Sequence, residues 1–180
     1  MKTKIIPFLF LLAMTNLVTA QEKLITKTGH VWFYSHAALE DIEAHTRQAA
    51  AIIDTEKGSI AVTIPIMSFE FKKTLMQEHF NENYMESAKY PKASFKGSIN
   101  NRSEINAKKN GIYKTMVEGD LTIHNTTKHI KADGTVEVKD GKYFIKSKFT
   151  VELKDYNIAV ESRFAKNIAS TIEINIDLNF

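Results

Sequence analysis

Thr171-Ile172-Glu173-Ile174-Asn175-Ile176-Asp177-Leu178-Asn179-Phe180 alternates without a break. Ile172, Ile174, Ile176, Leu178 and Phe180 share one face of an extended chain, while Glu173, Asn175, Asp177 and Asn179 share the other. Side chains along a strand point to opposite sides in turn, so this stretch reads as a strand with one face on an apolar interior and one in water. About eight segments repeat the pattern, interrupted once by a short amphipathic helix. That describes an all-β fold: a single antiparallel sheet curled around its own apolar inside. Such a barrel is either filled by its side chains or built around an apolar ligand.

Working back from the C-terminus, Tyr143–Leu153, Lys128–Val138, Gly111–His124 and Ala93–Ile99 read as strands. Asp140-Gly141 marks a tight hairpin turn, Asn125-Thr126-Thr127 the turn before it, and Asn100–Asn110 an exposed loop. Ile60, Val62, Ile64 and Ile66 alternate with Ala61, Thr63, Pro65 and Met67. Pro65 cannot donate to a ladder, so it marks an edge, a bulge or a strand end. Gly58 closes the turn that begins at Asp54. Thr46–Ile53, His30–His36 and Leu24–Thr28 supply the opening strands, and the stretch between His36 and Thr46, with Glu40, Asp41 and Glu43, reads as a looser exposed segment. Over Lys72–Tyr84 the period changes. Met76, Phe80 and Tyr84 fall four apart with Leu75 and His79 beside them, and Lys73, Gln77 and Glu82 lie opposite, which predicts an amphipathic helix closed by Pro91.

The first twenty residues read as an export signal. Lys2 and Lys4 give a basic start, Ile5–Val18 is mostly apolar, and Val18-Thr19-Ala20 has the small residues a signal peptidase requires. The expected division is a signal peptide over 1–20 and one domain over 21–180, which places the protein in a periplasm or outside the cell. Pro7, Thr15 and Asn16 interrupt the apolar run, which is short for a membrane span. No later segment suits a spanning helix. The chain contains no cysteine, which removes thiol nucleophiles, iron–sulfur ligation and the common structural zinc sites. It carries 24 Lys and Arg against 21 Asp and Glu, a net charge of +3 that includes the two lysines of the leader. With no basic stripe interleaved with aromatics, nucleic acid is not an expected partner.

No Gly-x-Ser-x-Gly, phosphate loop, dinucleotide fingerprint or His-Glu-x-x-His occurs. The six histidines show no metal-ligand spacing within one element. His124 and His129 straddle a hairpin turn and read as turn anchors, and His79 reads as a boundary residue beside the helical stripe. Asn125-Thr126-Thr127 and Asn101-Arg102-Ser103 read as turn chemistry. Glu118, Asp120 and Glu152 fall on outward faces, so no pair of acids is expected to face an enclosed site where burial would raise one of them. No catalytic residue, metal or cofactor is therefore assigned.

Two stretches carry a family resemblance. Glu78-His79-Phe80 followed by Tyr84-Met85-Glu86-Ser87-Ala88-Lys89-Tyr90-Pro91-Lys92-Ala93-Ser94-Phe95 resembles the helix-to-strand signature of YceI-like proteins. Val117-Glu118-Gly119-Asp120-Leu121-Thr122-Ile123-His124-Asn125-Thr126-Thr127-Lys128 resembles that family's strand–turn–strand motif. The resemblance implies an extended lipocalin-like barrel in a bacterial periplasm, enclosing a long apolar chain such as a polyisoprenoid, an isoprenoid quinone or a fatty-acyl derivative. Two departures bear on the cavity: the polar, glycine-free Ala37–Gln48, and the two aromatics of Ser68-Phe69-Glu70-Phe71-Lys72-Lys73.

Alternation places Phe33, Ile64, Phe95, Val117, Leu121, Ile123, Phe149 and Val151 on the inner face, and Met76 and Phe80 on the helical stripe. From the residues alone these side chains suit a filled core as well as a pocket. The resemblance tips the reading to a cavity that they line, with the helix over one end and methionine adapting to a flexible ligand. The expected partner is an apolar lipid-like small molecule, with a homodimer as an open possibility. The alternative is a non-catalytic stress-response or interaction module with a filled barrel core.

Overall fold

Two long strands open the structure, a computed structural model that describes residues 23–180. The leader assigned to 1–20 lies outside the described residues. Strand β1 runs over Lys23–His36 and β2 over Asp41–Asp54, paired antiparallel along their length. Sequence reading divided β1 in two because bulges on either side of Gly29 shift its register and change which alternate residues face inward. It also missed the first half of β2. There, beyond Ile42, which borders the interior, the inward positions are the small Ala44, Thr46 and Ala49, all buried, and the outward ones are the polar Asp41, Glu43, His45 and Arg47. With Ile42 its single large inward residue, this half of β2 alternates mostly small with polar, and the pattern escapes a search for bulky apolar residues.

The remaining strands are β3 (Ser59–Pro65), the short β4 (Glu70–Phe71), β5 (Lys92–Ile99), β6 (Gly111–Ile123), β7 (Thr126–Lys139), β8 (Lys142–Glu152) and β9 (Thr171–Asn179). All pairings are antiparallel, in the order β1-β9-β8-β7-β6-β5-β3-β2, and β1 pairing with β2 closes the ring. β4 adds two residues against Ala44 and His45 of β2. The β7–β8 pairing is confined to Gly134–Lys139 against Lys142–Ser147, so toward the upper end β7 pairs only with β6 and β8 only with β9. Pro65 ends β3, where its missing N–H costs nothing. The β7–β8 hairpin turns on Asp140 (φ 50°) and Gly141 (φ 76°), as expected. The β6–β7 hairpin instead turns on His124 (φ 47°) and Asn125 (φ 57°), with Thr126 already paired to Ile123. Asn at positive φ is common, so the turn sits one residue earlier than its Asn-Thr-Thr composition suggested.

At one position the sheet depends on bare backbone. Gly97 of β5 faces Gly119 of β6. A Cβ on Gly119 would sit 2.4 Å from the Gly97 Cα and 2.3 Å from the Lys96 carbonyl. Only glycine lets the strands approach this closely inside the barrel.

The predicted helix forms in part. α1 covers Thr74–His79 and passes into a wider π-type turn over Phe80–Tyr84. Leu75 is exposed rather than part of the inner stripe. Gln77 turns toward the barrel, where its Oε1 accepts from the Phe71 N–H at 3.3 Å. The barrel has two unlike ends. The lower end carries the turns at 54–59 and 139–142 and the loop 100–110. The upper end carries α1, the turns at 36–41 and 123–126, and the connection 153–170.

Candidate functional site

The barrel's upper half is hollow. A cavity of about 450 Å³ is lined by residues of all nine strands, by the helix and by the 153–170 connection. All ten residues singled out from the sequence border it. Phe33 comes from β1, Ile64 from β3 and Phe95 from β5; Val117, Leu121 and Ile123 come from β6, and Phe149 and Val151 from β8. Met76 and Phe80 lie over the upper end.

Sequence reading left out several lining residues that it had the means to find. Ile172, Ile174 and Ile176 of the defining C-terminal stretch face the same space. Tyr156, Ile158, Phe164 and Ile168 also border it. They lie in an irregular connection, where no period marks a side chain as inward.

Phe69 and Phe71, the two aromatics noted as departures, do reshape the upper end. Their rings gather with Phe33 and Phe80. Centroids lie 5.3 Å apart for Phe33–Phe69, 5.5 Å for Phe33–Phe80, 5.0 Å for Phe71–Phe80 and 5.8 Å for Phe69–Phe80, the last edge-on. Offset and tilted pairs of this kind add to the gain from burial. The cluster fastens the helical segment to β1 and leaves the exposed half of α1 outside.

Polar groups gather mainly at the rim, and Ser94 and Ser147 add two hydroxyls along the wall. Ser35, Glu40, His79, Tyr84, Arg163 and Asn167 border the upper end. Lys73 Nζ donates to Glu40 Oε1 at 2.8 Å, tying α1 to the β1–β2 turn, and this bond holds the Glu40 carboxyl below its ordinary range. The Leu39 N–H donates to the Lys166 carbonyl at 2.9 Å, joining that turn to the third rim segment. Arg163 is occupied by Glu161 at 2.9 Å and lies 4.8 Å over the Phe164 ring. Burial raises the Tyr84 hydroxyl. Below the rim, Ser147 Oγ donates to the Asp133 carbonyl at 2.7 Å. An apolar guest therefore meets mainly hydrocarbon along its length and most of the polar groups at one end.

The acids and histidines go elsewhere. Glu118 and Asp120 do face outward, where both ring nitrogens of His129 meet them at 3.2 Å and 2.9 Å. His129, Asn100 and Lys131 hold the Glu118 carboxyl at about 2, and its acid partners raise His129. His124 and His129 do not approach one another as partners. His124 sits in the hairpin turn, with Nδ1 3.3 Å from the Tyr156 carbonyl and Nε2 3.1 Å from Glu86 Oε1. A third arrangement was not foreseen: His30 and His45, on neighbouring strands, meet at 3.0 Å on the outer wall and stack with Trp32. Glu40, read as part of an exposed loop cluster, is the one acid bordering the cavity among the described residues.

A protein-family model described as the YceI-like domain matches residues 23–180. The chain belongs to the YceI-like family. Among solved structures, this YceI-like barrel is similar to the polyisoprenoid binding domain from Saccharophagus degradans, at 14% identity, TM-score 0.76, covering 87% of this chain and 96% of that one. It is similar to Burkholderia cenocepacia BcnA at 19% identity and TM-score 0.70, over 84% of this chain and 96% of that one. The Campylobacter jejuni YCEI protein aligns over 98% of both chains at 16% identity and TM-score 0.60. At such identities the likeness is one of fold. No curated protein matches the chain.

Proposed function

We propose that this protein binds a long apolar ligand inside its barrel and carries or stores it in an exported, aqueous compartment. The observation that carries this reading is the cavity of about 450 Å³, lined largely by aliphatic and aromatic side chains, with most of its polar groups at the upper rim. Its size lies within the usual range of small-molecule pockets. Each methylene transferred into it contributes about 0.8 kcal/mol, so a polyisoprenoid, an isoprenoid quinone or a fatty-acyl chain gains affinity by length. Family membership supports the same reading, as does the name of the Saccharophagus relative, a polyisoprenoid binding domain.

The role is binding, not turnover. Among the described residues the interior offers no paired acids and no nucleophile beside a base, and the rim acid Glu40 is already engaged by Lys73. The proposed setting is a periplasm or the outside of the cell, reached after loss of residues 1–20. No helix among the described residues is long and apolar enough to cross a membrane.

Native mass spectrometry of protein purified from its own organism tests both claims. A chain beginning at Gln21 and carrying a lipid-sized adduct, released into solvent extract, is the expected result. A protein that retains no lipid and, once delipidated, fails to take up a fluorescent long-chain fatty acid overturns the carrier reading.

A further inference from the structure

A second, lower chamber lies beneath the first. It measures about 300 Å³ and is lined by Leu24, Ile53, Ile99, Ile105 and Tyr143 among others. The loop 100–110 closes it from below. Arg102 Nε donates to the Thr55 carbonyl, the Ile99 N–H donates to the Gly58 carbonyl at 2.8 Å, and Tyr113 Oη donates to the Lys109 carbonyl at 3.1 Å.

Among the described residues, Ile145 is the single one that borders both chambers. Its cross-strand neighbours are Val136 on β7 and Leu178 on β9. All three are buried, at 2%, 7% and 1% exposure for Val136, Ile145 and Leu178. Val136 borders the lower chamber and Leu178 the upper. An in-register row of packed side chains thus separates two spaces that share one barrel axis.

We propose that this row is the floor of the ligand site and that Ile145 determines the longest chain the barrel accepts. The inference rests on the carrier reading above. A tail that descends past Phe149 and Ser147 along β8 stops at Ile145, and the lower chamber stays empty of it. Because interiors give way little to added or misplaced atoms, a longer chain must leave its excess at the rim in water. Shortening Ile145 joins the chambers and opens room for further methylenes.

The test uses delipidated protein over 21–180 and a homologous series of saturated primary alcohols from decanol to docosanol, measured by displacement of a fluorescent long-chain fatty acid. In the parent, affinity rises about fourfold per methylene, the equivalent of about 0.8 kcal/mol each, and then levels off at a limiting length. In Ile145→Ala the rise in affinity continues past that length. Ile145→Phe moves the limit down, and Ile105→Trp added to Ile145→Ala refills the lower chamber and restores it. Ile145→Val serves if the alanine variant does not fold, with a smaller upward shift. An unchanged limit in a folded Ile145 variant that still binds short alcohols overturns the floor. Failure of the parent to bind any probe or alcohol instead overturns the carrier reading on which it rests.

Discussion

His124 Nε2 lies 3.1 Å from Glu86 Oε1, while Nδ1 of the same ring lies 3.3 Å from the Tyr156 carbonyl. Tyr90 packs edge-on to the ring at 4.6 Å. One histidine thus joins the helix-to-strand stretch, the β6–β7 hairpin and the 153–170 connection, three separate pieces of the cavity's upper end. The two motifs that carry the family resemblance meet through this contact. Glu86 feels it, its carboxyl held below the ordinary range first by His124 and then by Lys89.

His124→Asn separates the turn from the clamp. Asparagine tolerates the positive φ of this position, so the hairpin should persist while Glu86 and the Tyr156 carbonyl lose their partner. A nearly buried acceptor left unpaired costs about 1–3 kcal/mol. Hydrogen exchange should quicken over Met85–Pro91 and Leu153–Ile158 and stay unchanged in β7 and β8. Uniform acceleration across the barrel would show that the clamp supports the whole fold rather than its upper end.

The outer network around His129 gives a pH signature. Glu118 falls from its ordinary 4.5 to about 2, so its contribution is present above 4.5 and lost as pH falls toward 2. His129 is raised above 6.5, so its contribution is complete below 6.5 and disappears as pH rises through its folded value. The two overlap between about 4.5 and 6.5. His129→Ala should therefore destabilise most within that window and least above neutral pH, by an amount that salt diminishes. A stability difference between parent and variant that does not vary with pH would remove the network from the account.

Gly119→Val tests the close approach of β5 and β6. Its Cβ meets backbone at Gly97 and Lys96 rather than a flexible side-chain end, so the strands must part. Overpacking of this kind costs about 1–3 kcal/mol, and here the barrel's closure adds resistance. A lowered urea midpoint with unchanged far-ultraviolet dichroism is expected. A midpoint equal to the parent's would mean that the strands separate freely at that point.

Hollow and filled parts of the barrel should respond differently to truncation. Leu178 touches the cavity only at its floor, where it is 1% exposed and packed among Ile53, Val138 and Ile145, so Leu178→Ala should cost about 2–5 kcal/mol in ligand-free protein. Ile123 borders the cavity and is only half-buried. Its loss vacates little packed volume, so Ile123→Ala should cost clearly less while weakening lipid uptake. Ile123→Trp should fold and exclude the lipid. Equal costs at the two sites in urea unfolding would argue for a collapsed interior.

Strand existence was legible wherever bulky apolar and polar residues alternated, and β9 is the plainest case. It failed in β2, where Ala44, Thr46 and Ala49 face inward but are too small to register. The cavity wall was legible on the same terms, since alternation assigns Phe95, Leu121 and Phe149 to the inside whatever the inside contains. Whether that inside is empty is not a property of any one strand. It depends on how far apart the closed ring holds Phe33, Leu121 and Ile174, which barrel geometry sets. The rim was out of reach for a further reason. Leu39 meets Lys166 and Glu40 meets Lys73 only because three irregular connections return to one end of the barrel.

Met76 and Phe80 were read as one stripe with one role, and the structure divides them. Phe80 stacks on Phe33 and packs against Phe69 and Phe71, so Phe80→Asp places a charge inside an aromatic cluster without a partner. The helical segment should detach, with loss of stability and of ligand together. Met76 is half-buried on α1 and borders the cavity without belonging to that cluster. Met76→Asp leaves the ring contacts intact and keeps its carboxylate within reach of water at the rim. The expected result is a parent-like melting transition with faster release of a fluorescent fatty acid, since the guest now passes a charge at the upper end. Stopped-flow release alongside thermal unfolding distinguishes the two variants. If Met76→Asp unfolds as readily as Phe80→Asp, α1 is part of the core rather than a cover over the cavity.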